Sequence, residues 1–381
     1  MKPYLLGIDV GTSACKVALF DSKGHLSGQI NKSYPVYYPK EGWAEQNPLN
    51  WKNAVFQGIR ELIEYTGIHS SDIAAIGVAG QSWSAVAIDQ NGEVLCNTPI
   101  WTDTRAKEEC QFIHQHVGEK AYFELCGNPI HPSYTLPKIL WYKNHLSDIY
   151  HKTAWILQSN SYIVYCLTGA VTQDLSQGYG LGCFNMHTGQ WDLSMANSLG
   201  IRPSLLPPIV SCHEVVGYVT ASVARQTGLC EGIPVVAGGL DAACGALGAG
   251  VIQAGQTQEQ GGQAGGMSIC LDQYVADKRL ILGYHVVPGK WLLQGGTTGG
   301  GGALKWFRET CCPDISFEQM SELADTVPAG SEGVVFLPYM AGERSPIWNP
   351  NACGVFYGLH YARTKAHFIR SVMEGVAYAL H

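Results

Sequence analysis

Asp9, the turn Gly11-Thr12-Ser13 and Lys16 put a carboxylate, two hydroxyls, a set of backbone N–H groups and an ammonium into one short stretch. A bent turn whose N–H groups point outward is a fixed array of partial positive charge and can cradle a phosphate. The nearby carboxylate suits the magnesium that such a phosphate carries. An ordinary hairpin explains the same residues, since Gly-Thr-Ser turns between strands are common. A similar strand, glycine turn and strand recurs at Gln258 to Asp272, with Gly261 to Gly266 at the bend. The two copies lie roughly 250 positions apart, too far for a short-period solenoid, and suggest a fold of two related halves. Two such turns facing each other would pinch a polyphosphate.

Three further groups could do chemistry. Asp241 follows Gly238-Gly239 and opens the small-residue segment Ala242 to Gly250. A carboxylate there is approachable by a ligand and sits in the positive field of a helix start, although a plain N-cap aspartate reads the same way. Trp101, Asp103 and Arg105 alternate in an extended segment and offer a flat apolar face, an acceptor and a fork of donors, a fair set for a polyhydroxylated sugar. A core tryptophan with a structural Asp103–Arg105 ion pair is the alternative. Gly295 to Gly302, including Thr298, Gly299 and Gly300, opens a helix and suits phosphate or ribose; a hinge explains it about as well.

The elements that must position these groups are legible from periodicity and punctuation. Tyr4 to Ile8 and Val17 to Phe20 read as strands, the second ending at the turn Asp21 to Gly24. Asn47-Pro48 starts a helix carrying Trp51, Val55, Ile59 and Leu62 on one face. Asp72 to Gly80 is a buried strand that delivers Gln81-Ser82-Trp83 to its carboxyl end, where open α/β sheets place ligands. Ser84 to Asp89 and Glu93 to Cys96 read as a hairpin, Lys107 to Val117 and Leu136 to Leu146 as helices, and Pro203 to Pro208 as a loop. Trp191 and Asp192 fall in a turn-rich piece with no assigned element. Ser222 to Gly228 is a short helix and Ile233 to Gly239 a buried strand. Ile281 to Val287 and Lys290 to Gln294 pair about Pro288-Gly289, and Ala303 to Glu309 is helical.

Composition sets the class. At 381 residues, 46% apolar and 14% charged, the chain is globular with room for two or three domains. A net charge of -7 offers no basic stripe to nucleic acid or an acidic membrane. No run approaches the ~18 apolar residues of a membrane span, and the start Met1-Lys2-Pro3-Tyr4 carries no secretory signal. Thirteen scattered cysteines without a Cys-x-x-Cys ladder read as reduced core residues of a cytoplasmic protein. The 13 histidines form no ligand-spaced cluster, and there is no Gly-x-x-x-x-Gly-Lys-Ser/Thr phosphate loop.

Five stretches in order carry a resemblance over the whole chain: Gly7 to Ser13, Ile100 to Arg105, Gly238 to Ala243, Phe336 to Pro346, and Gly354 to Leu359 with His367 to Glu374. The chain resembles the FGGY carbohydrate kinases, most of all their xylulokinase-like branch. The resemblance implies an α/β, actin-like and ribonuclease-H-like two-domain ATPase fold. Residues 1–250 would form the sugar side with the first phosphate loop and the catalytic Asp, and residues 251–381 an incomplete nucleotide side. It implies ATP-dependent phosphorylation of a sugar hydroxyl, a pentulose such as xylulose or a related ketose or polyol, with ATP and Mg2+ as cofactors. By residue, it makes Asp241 the general base and Asp9 the magnesium-associated carboxylate. Gly11, Thr12, Ser13 and Lys16, with the turn Gly262, Gln263 and Gly265, become phosphate contacts, and Gln81, Ser82, Trp83, Trp101 and Asp103 the sugar side.

Xylulokinases usually show Gln-Met-His-Gly where this chain has Gln81-Ser82-Trp83-Ser84, and Thr where Gln263 stands, so no particular sugar is expected. The resemblance leaves a homodimer open. Members extend further than this chain, which ends inside an amphipathic helix. A helix ending there is expected to expose Phe368, Val372 and Val376 and to lack adenine contacts. The competing class is an actin-like ATP-binding protein without sugar chemistry, which would need neither a base nor a sugar wall.

Overall fold

The computed structural model describes residues 3–262, 264–340, 342–343, 345–349 and 351–381. The chain divides into two compact units, Met1–Gly250 with Gly283–Lys290, and Val251–Leu282 with Trp291–His381.

The first unit is built on a seven-stranded mixed sheet. Strands β1 (Tyr4–Val10), β2 (Ala14–Asp21) and β3 (Leu26–Ser33) are antiparallel neighbours. β4 (Ile73–Gly80) runs parallel to β1 on its other side. β5 (Val215–Tyr218) is antiparallel to β6 (Pro234–Val236), and both β6 and β7 (Gly239–Leu240) pair in parallel with β4.

Side chains alternate across a strand, so one face of β1 carries Leu6, Ile8 and Val10, all nearly or fully buried, and the other carries Gly7 and Asp9. Helix α1 (Pro48–Thr66) covers the apolar face with Trp51, Val55, Ile59 and Leu62. Asn47 caps it by accepting a hydrogen bond from Leu49 N–H, and Gly67 ends it in the left-handed region at φ 66°.

Register then does what composition could not. Val10 pairs opposite Gly80, and Leu240 opposite the same Gly80, so the carboxyl ends of β1, β4 and β7 lie side by side. Neighbouring strands are about 4.8 Å apart, so the three segments that follow them emerge along one edge. Gly80 is required at the middle. A Cβ there would lie 2.4 Å from Ser159 Oγ and 2.7 Å from Asn160 N, at the start of the helix Ser159–Thr168.

Several expectations need correction. Val86–Ile88 forms the expected hairpin with the segment after it, Asp89 N–H donating to Glu93 O and Leu95 N–H to Ala87 O, both at 3.0 Å, but it also pairs with Trp155–Leu157, which was not expected. Its three residues are fully buried. The strand expected over 233–239 is split because Gly238 adopts φ 74°, where a Cβ would sit 1.9 Å from Val78 O. Asp192 caps a short helix, Leu193–Ser198, through a bond from Met195 N–H. No cysteine is joined to another in a disulfide, but Cys311 and Cys353 are exposed rather than in the core.

In the second unit, strands Thr257–Gly261, Gly265–Leu271 and Trp291–Thr297 are antiparallel neighbours in that order. Gln263, between the first two of these strands, lies outside the described residues. The helices Gly301–Cys311, Phe317–Asp325 and Lys365–Leu380 pack with strand Val335–Leu337 around Phe307, Met320, Phe336, Ile369 and Val372. The expected exposed stripe is therefore covered. Val372 is fully buried and Phe368 and Val376 pack on the same cluster, because the helix finds its apolar partners within this unit.

Candidate active site

Asp241 is the first residue of the helix Asp241–Gly248, directly after β7. Its Oδ1 accepts a hydrogen bond from the Ala242 N–H at 2.7 Å. Burial pushes its carboxyl up from 3.8 to about 7, the Ala242 N–H opposes the shift, and the neighbouring Asp9 charge adds to it. The approach to Asp241 is tied from behind. Leu240 N–H donates to Ser176 Oγ at 2.9 Å, and Ser176 Oγ donates to the fully buried Asp174 at 2.5 Å.

Asp9 points to the open face of the sheet, and Lys16 is its register partner on β2. Burial raises the Asp9 carboxyl above its ordinary value, and the Lys16 ammonium draws it back. Its Oδ1 is buried and has no hydrogen-bond partner among the described residues. A cavity of about 540 Å³ lies on this face, lined by Gly7, Asp9, Lys16, Gly77, Gly238 and Cys244 among others. Two carboxylates, one with an unmet acceptor, fit a magnesium ion that keeps water and phosphate oxygens as its other ligands.

The turn after β1 is braced from the inside. Tyr34 Oη donates to Gly11 O at 2.6 Å and Gln46 Nε2 to Thr12 O at 2.8 Å. Thr12 Oγ1 accepts from Trp101 Nε1 at 2.8 Å and donates to Gln81 Oε1 at 3.3 Å. Gln81 Nε2 donates to Gln46 Oε1 at 2.7 Å. Thr12 and Gln81 are thus engaged with each other, while Ser13 and Lys16 are exposed. Gln46 and Tyr34 hold this turn, and no spacing in the sequence marks either.

On the sugar side, Ser82 is half-buried and Trp83 is 5% exposed, in the left-handed region at φ 58°. The Trp83 ring meets Tyr134 edge-on at 4.5 Å, and a Cβ on Gly180 would lie 2.4 Å from it. Trp101 stands beside the Thr12 turn by the hydrogen bond already described.

Asp103 is different. Fully buried, it accepts from Ala44 N–H at 2.7 Å, from Arg105 N–H and Nε at 3.0 Å and from Arg105 Nη2 at 2.7 Å. Arg105 also pairs with Glu45 at 2.8 Å and lies over the Trp43 ring at 3.8 Å. Of the two readings of this pair, these contacts describe the ion pair.

In the second unit the two glycine-rich stretches meet. A Cβ on Gly300 would lie 2.3 Å from Ala264 C and 2.4 Å from Gly265 N, and one on Gly301 2.7 Å from Gly262 O. Gly300 precedes the eleven-residue helix Gly301–Cys311, whose first N–H groups are an anion site by nature. Thr298 is partly committed, since its N–H donates to Glu343 Oε1 at 3.0 Å and its Oγ1 to Gly342 O at 2.5 Å. Gly299 passes against Pro338, with room for no Cβ.

The two-domain α/β fold is that of sugar kinases, matching solved xylulose kinase structures over 99% of this chain. The family's N-terminal and C-terminal domains match residues 4–248 and 270–381, and the chain belongs to the FGGY family of carbohydrate kinases, enzymes that phosphorylate sugars with ATP and typically a divalent metal. It is 33% identical to xylulose kinase from Bacillus subtilis over 380 residues, 99% of this chain and 76% of that one. It is 30% identical to gluconokinase from the same organism, again covering 76% of it. The ligand-bound xylulose kinase from Lactobacillus acidophilus superposes with a TM-score of 0.92 at 29% identity, over 99% of this chain and 76% of that one. The chain spans about three quarters of the length of these relatives. No helix among the described residues is long and apolar enough to cross a membrane.

Proposed function

We propose that the chain transfers the γ-phosphate of ATP to a hydroxyl of a small ketose or polyol, a pentulose such as xylulose being the first candidate. Asp241 takes the proton of the attacking hydroxyl. Asp9 holds magnesium, which neutralises phosphate charge, and the turns at Gly11–Ser13 and Gly262–Gly265, with Lys16 and the Gly299-Gly300 helix start, hold the phosphates. Ser82, Trp83 and Trp101 form the sugar side, so the first unit takes the acceptor and contributes Asp9, Lys16 and its own turn to magnesium and phosphate, and the second is the nucleotide side. Phosphoryl transfer asks little covalent work of protein groups, so positioning and charge neutralisation carry the rate. The cytoplasm is the compartment that fits, with its ATP and its reducing poise toward thiols outside any disulfide.

The observation that supports this reading most is the carboxyl of Asp241. It sits at the end of a strand that shares Gly80 with β1, and burial holds its pKa near 7, where a carboxylate is a competent base at neutral pH. Xylulose kinases and gluconokinases among the relatives supply the acceptor classes to try. Measuring ADP release with pentuloses, hexuloses, gluconate and polyols tests it. One acceptor should stimulate release well above the sugar-free rate; ATP binding without stimulation by any of them would leave the ATP-binding reading instead.

A further inference from the structure

One buried cation in the first unit takes no part in the chemistry above. Lys138 lies in the helix Thr135–His145, within the otherwise apolar run Leu136 to Tyr142, and its side chain is fully buried. An ammonium has three donors and no acceptor, and burying one requires that all three be met. Lys138 Nζ donates to Ser133 O at 2.6 Å, Ile100 O at 2.7 Å and Trp83 O at 2.9 Å.

These carbonyls come from three segments far apart in the chain, and each segment bears one of the aromatic residues grouped on the sugar side. Trp83 is itself one of the acceptors, Ile100 precedes Trp101, and Ser133 precedes Tyr134, whose ring meets Trp83. Trp83 also holds a left-handed backbone conformation that a bulky residue rarely adopts, which persists only when its surroundings fix it. A compact ammonium suits three carbonyls converging from different directions, whereas a planar guanidinium does not.

We propose that Lys138 is a positioning residue for sugar selection, clamping the roots of the Trp83, Trp101 and Tyr134 segments to one point. The role rests on the reading of Trp83 and Trp101 as sugar side. A lysine that merely stabilised its own helix would have no reason to spend its donors on all three.

Lys138→Met in the full chain, close in shape and without donors, tests the clamp by hydrogen exchange and by steady-state kinetics with D-xylulose and D-gluconate. Losing bonds to a charged donor should speed exchange about tenfold or more at residues 82–84, 101–103 and 134–135, with helix Pro48–Thr66 unchanged. The KM for whichever acceptor the wild type uses should rise by a similar factor, about tenfold, and the KM for ATP by less, since it is reached only through the Trp101–Thr12 bond. Faster exchange confined to the helix Thr135–His145, or sugar and ATP constants both unchanged, would overturn the proposal. If Lys138→Met does not fold, Lys138→Gln, which keeps amide donors, is read by the same two measurements. Trp101→Ala in parallel separates the failures. A changed acceptor KM there with none in Lys138→Met sinks the clamp alone, and no change in either variant sinks the sugar-side reading and the clamp with it.

Discussion

Trp101 Nε1–H donates to Thr12 Oγ1 at 2.8 Å, which joins the candidate sugar wall directly to the candidate phosphate turn. Thr12 passes the link on to Gln81, so one hydroxyl connects segments lying 69 and 89 positions away. Trp101→Phe keeps an aromatic face and removes the donor. The expected result is a rise of about two- to tenfold in KM for both acceptor and ATP, the size of one neutral hydrogen bond. Steady-state kinetics with each substrate varied in turn checks it, and a rise for the acceptor alone would mean that the bond carries nothing to the nucleotide.

Asp241→Asn should lower acceptor-dependent turnover by about 10²-fold or more, the usual size of a general-base contribution, and leave ATP affinity in place. Calorimetric ATP titration beside the kinetics separates the two, and turnover near the wild-type rate would remove Asp241 from the base position.

The same carboxyl predicts a pH dependence. Its pKa is raised from 3.8 to about 7, so the base is ionised only above that point and acceptor-dependent kcat/KM should climb with a midpoint near pH 7. Asp241→Asn removes the titrating group, and the acidic limb should disappear from whatever acceptor-dependent activity remains. For stability the sign is the reverse. The folded state holds the proton more tightly than the unfolded chain, so this contribution is present below about pH 4 and is lost as pH rises through 7. A limb that persists in Asp241→Asn would show that Asp241 is not the group observed.

Asp103→Ala should act on stability before it acts on sugar binding. It strips the buried Arg105 of its closest partner at a cost of about 3 kcal/mol, the low end for breaking a buried pair, because Glu45 remains. Chemical denaturation should register that loss, with acceptor KM within about twofold in the folded fraction. A large KM change without loss of stability would return Asp103 to the sugar.

Gly300→Ala tests the second unit. Its Cβ would push into Ala264 and Gly265, so the two glycine stretches must separate. ATP binding should weaken by about tenfold or more, 1.4 kcal/mol in affinity terms, with acceptor binding unaffected. Equal ATP affinity in calorimetry would place the phosphates elsewhere.

What the sequence determined by itself was local. The apolar strand at Tyr4 to Ile8, the Asn47-Pro48 start of the first long helix and the two strands flanking the second glycine-rich stretch were all legible, because backbone repeats and turn chemistry are written in adjacent residues. Asp9 and Asp241 could be singled out for the same reason. Only the tertiary structure decided that Val10, Gly80 and Leu240 end side by side, since strand register depends on partners scattered along the chain. Burial decided the rest. Asp103 and Arg105 read equally well as a sugar contact or an ion pair until Ala44, Glu45 and Trp43 closed around them. Likewise, the lysine in an apolar helix takes its role from the carbonyls of Trp83 and Ile100, 55 and 38 positions away, with Ser133 just before its own helix, for what a polar group does is set by what it is packed against, and neighbours in sequence do not specify that.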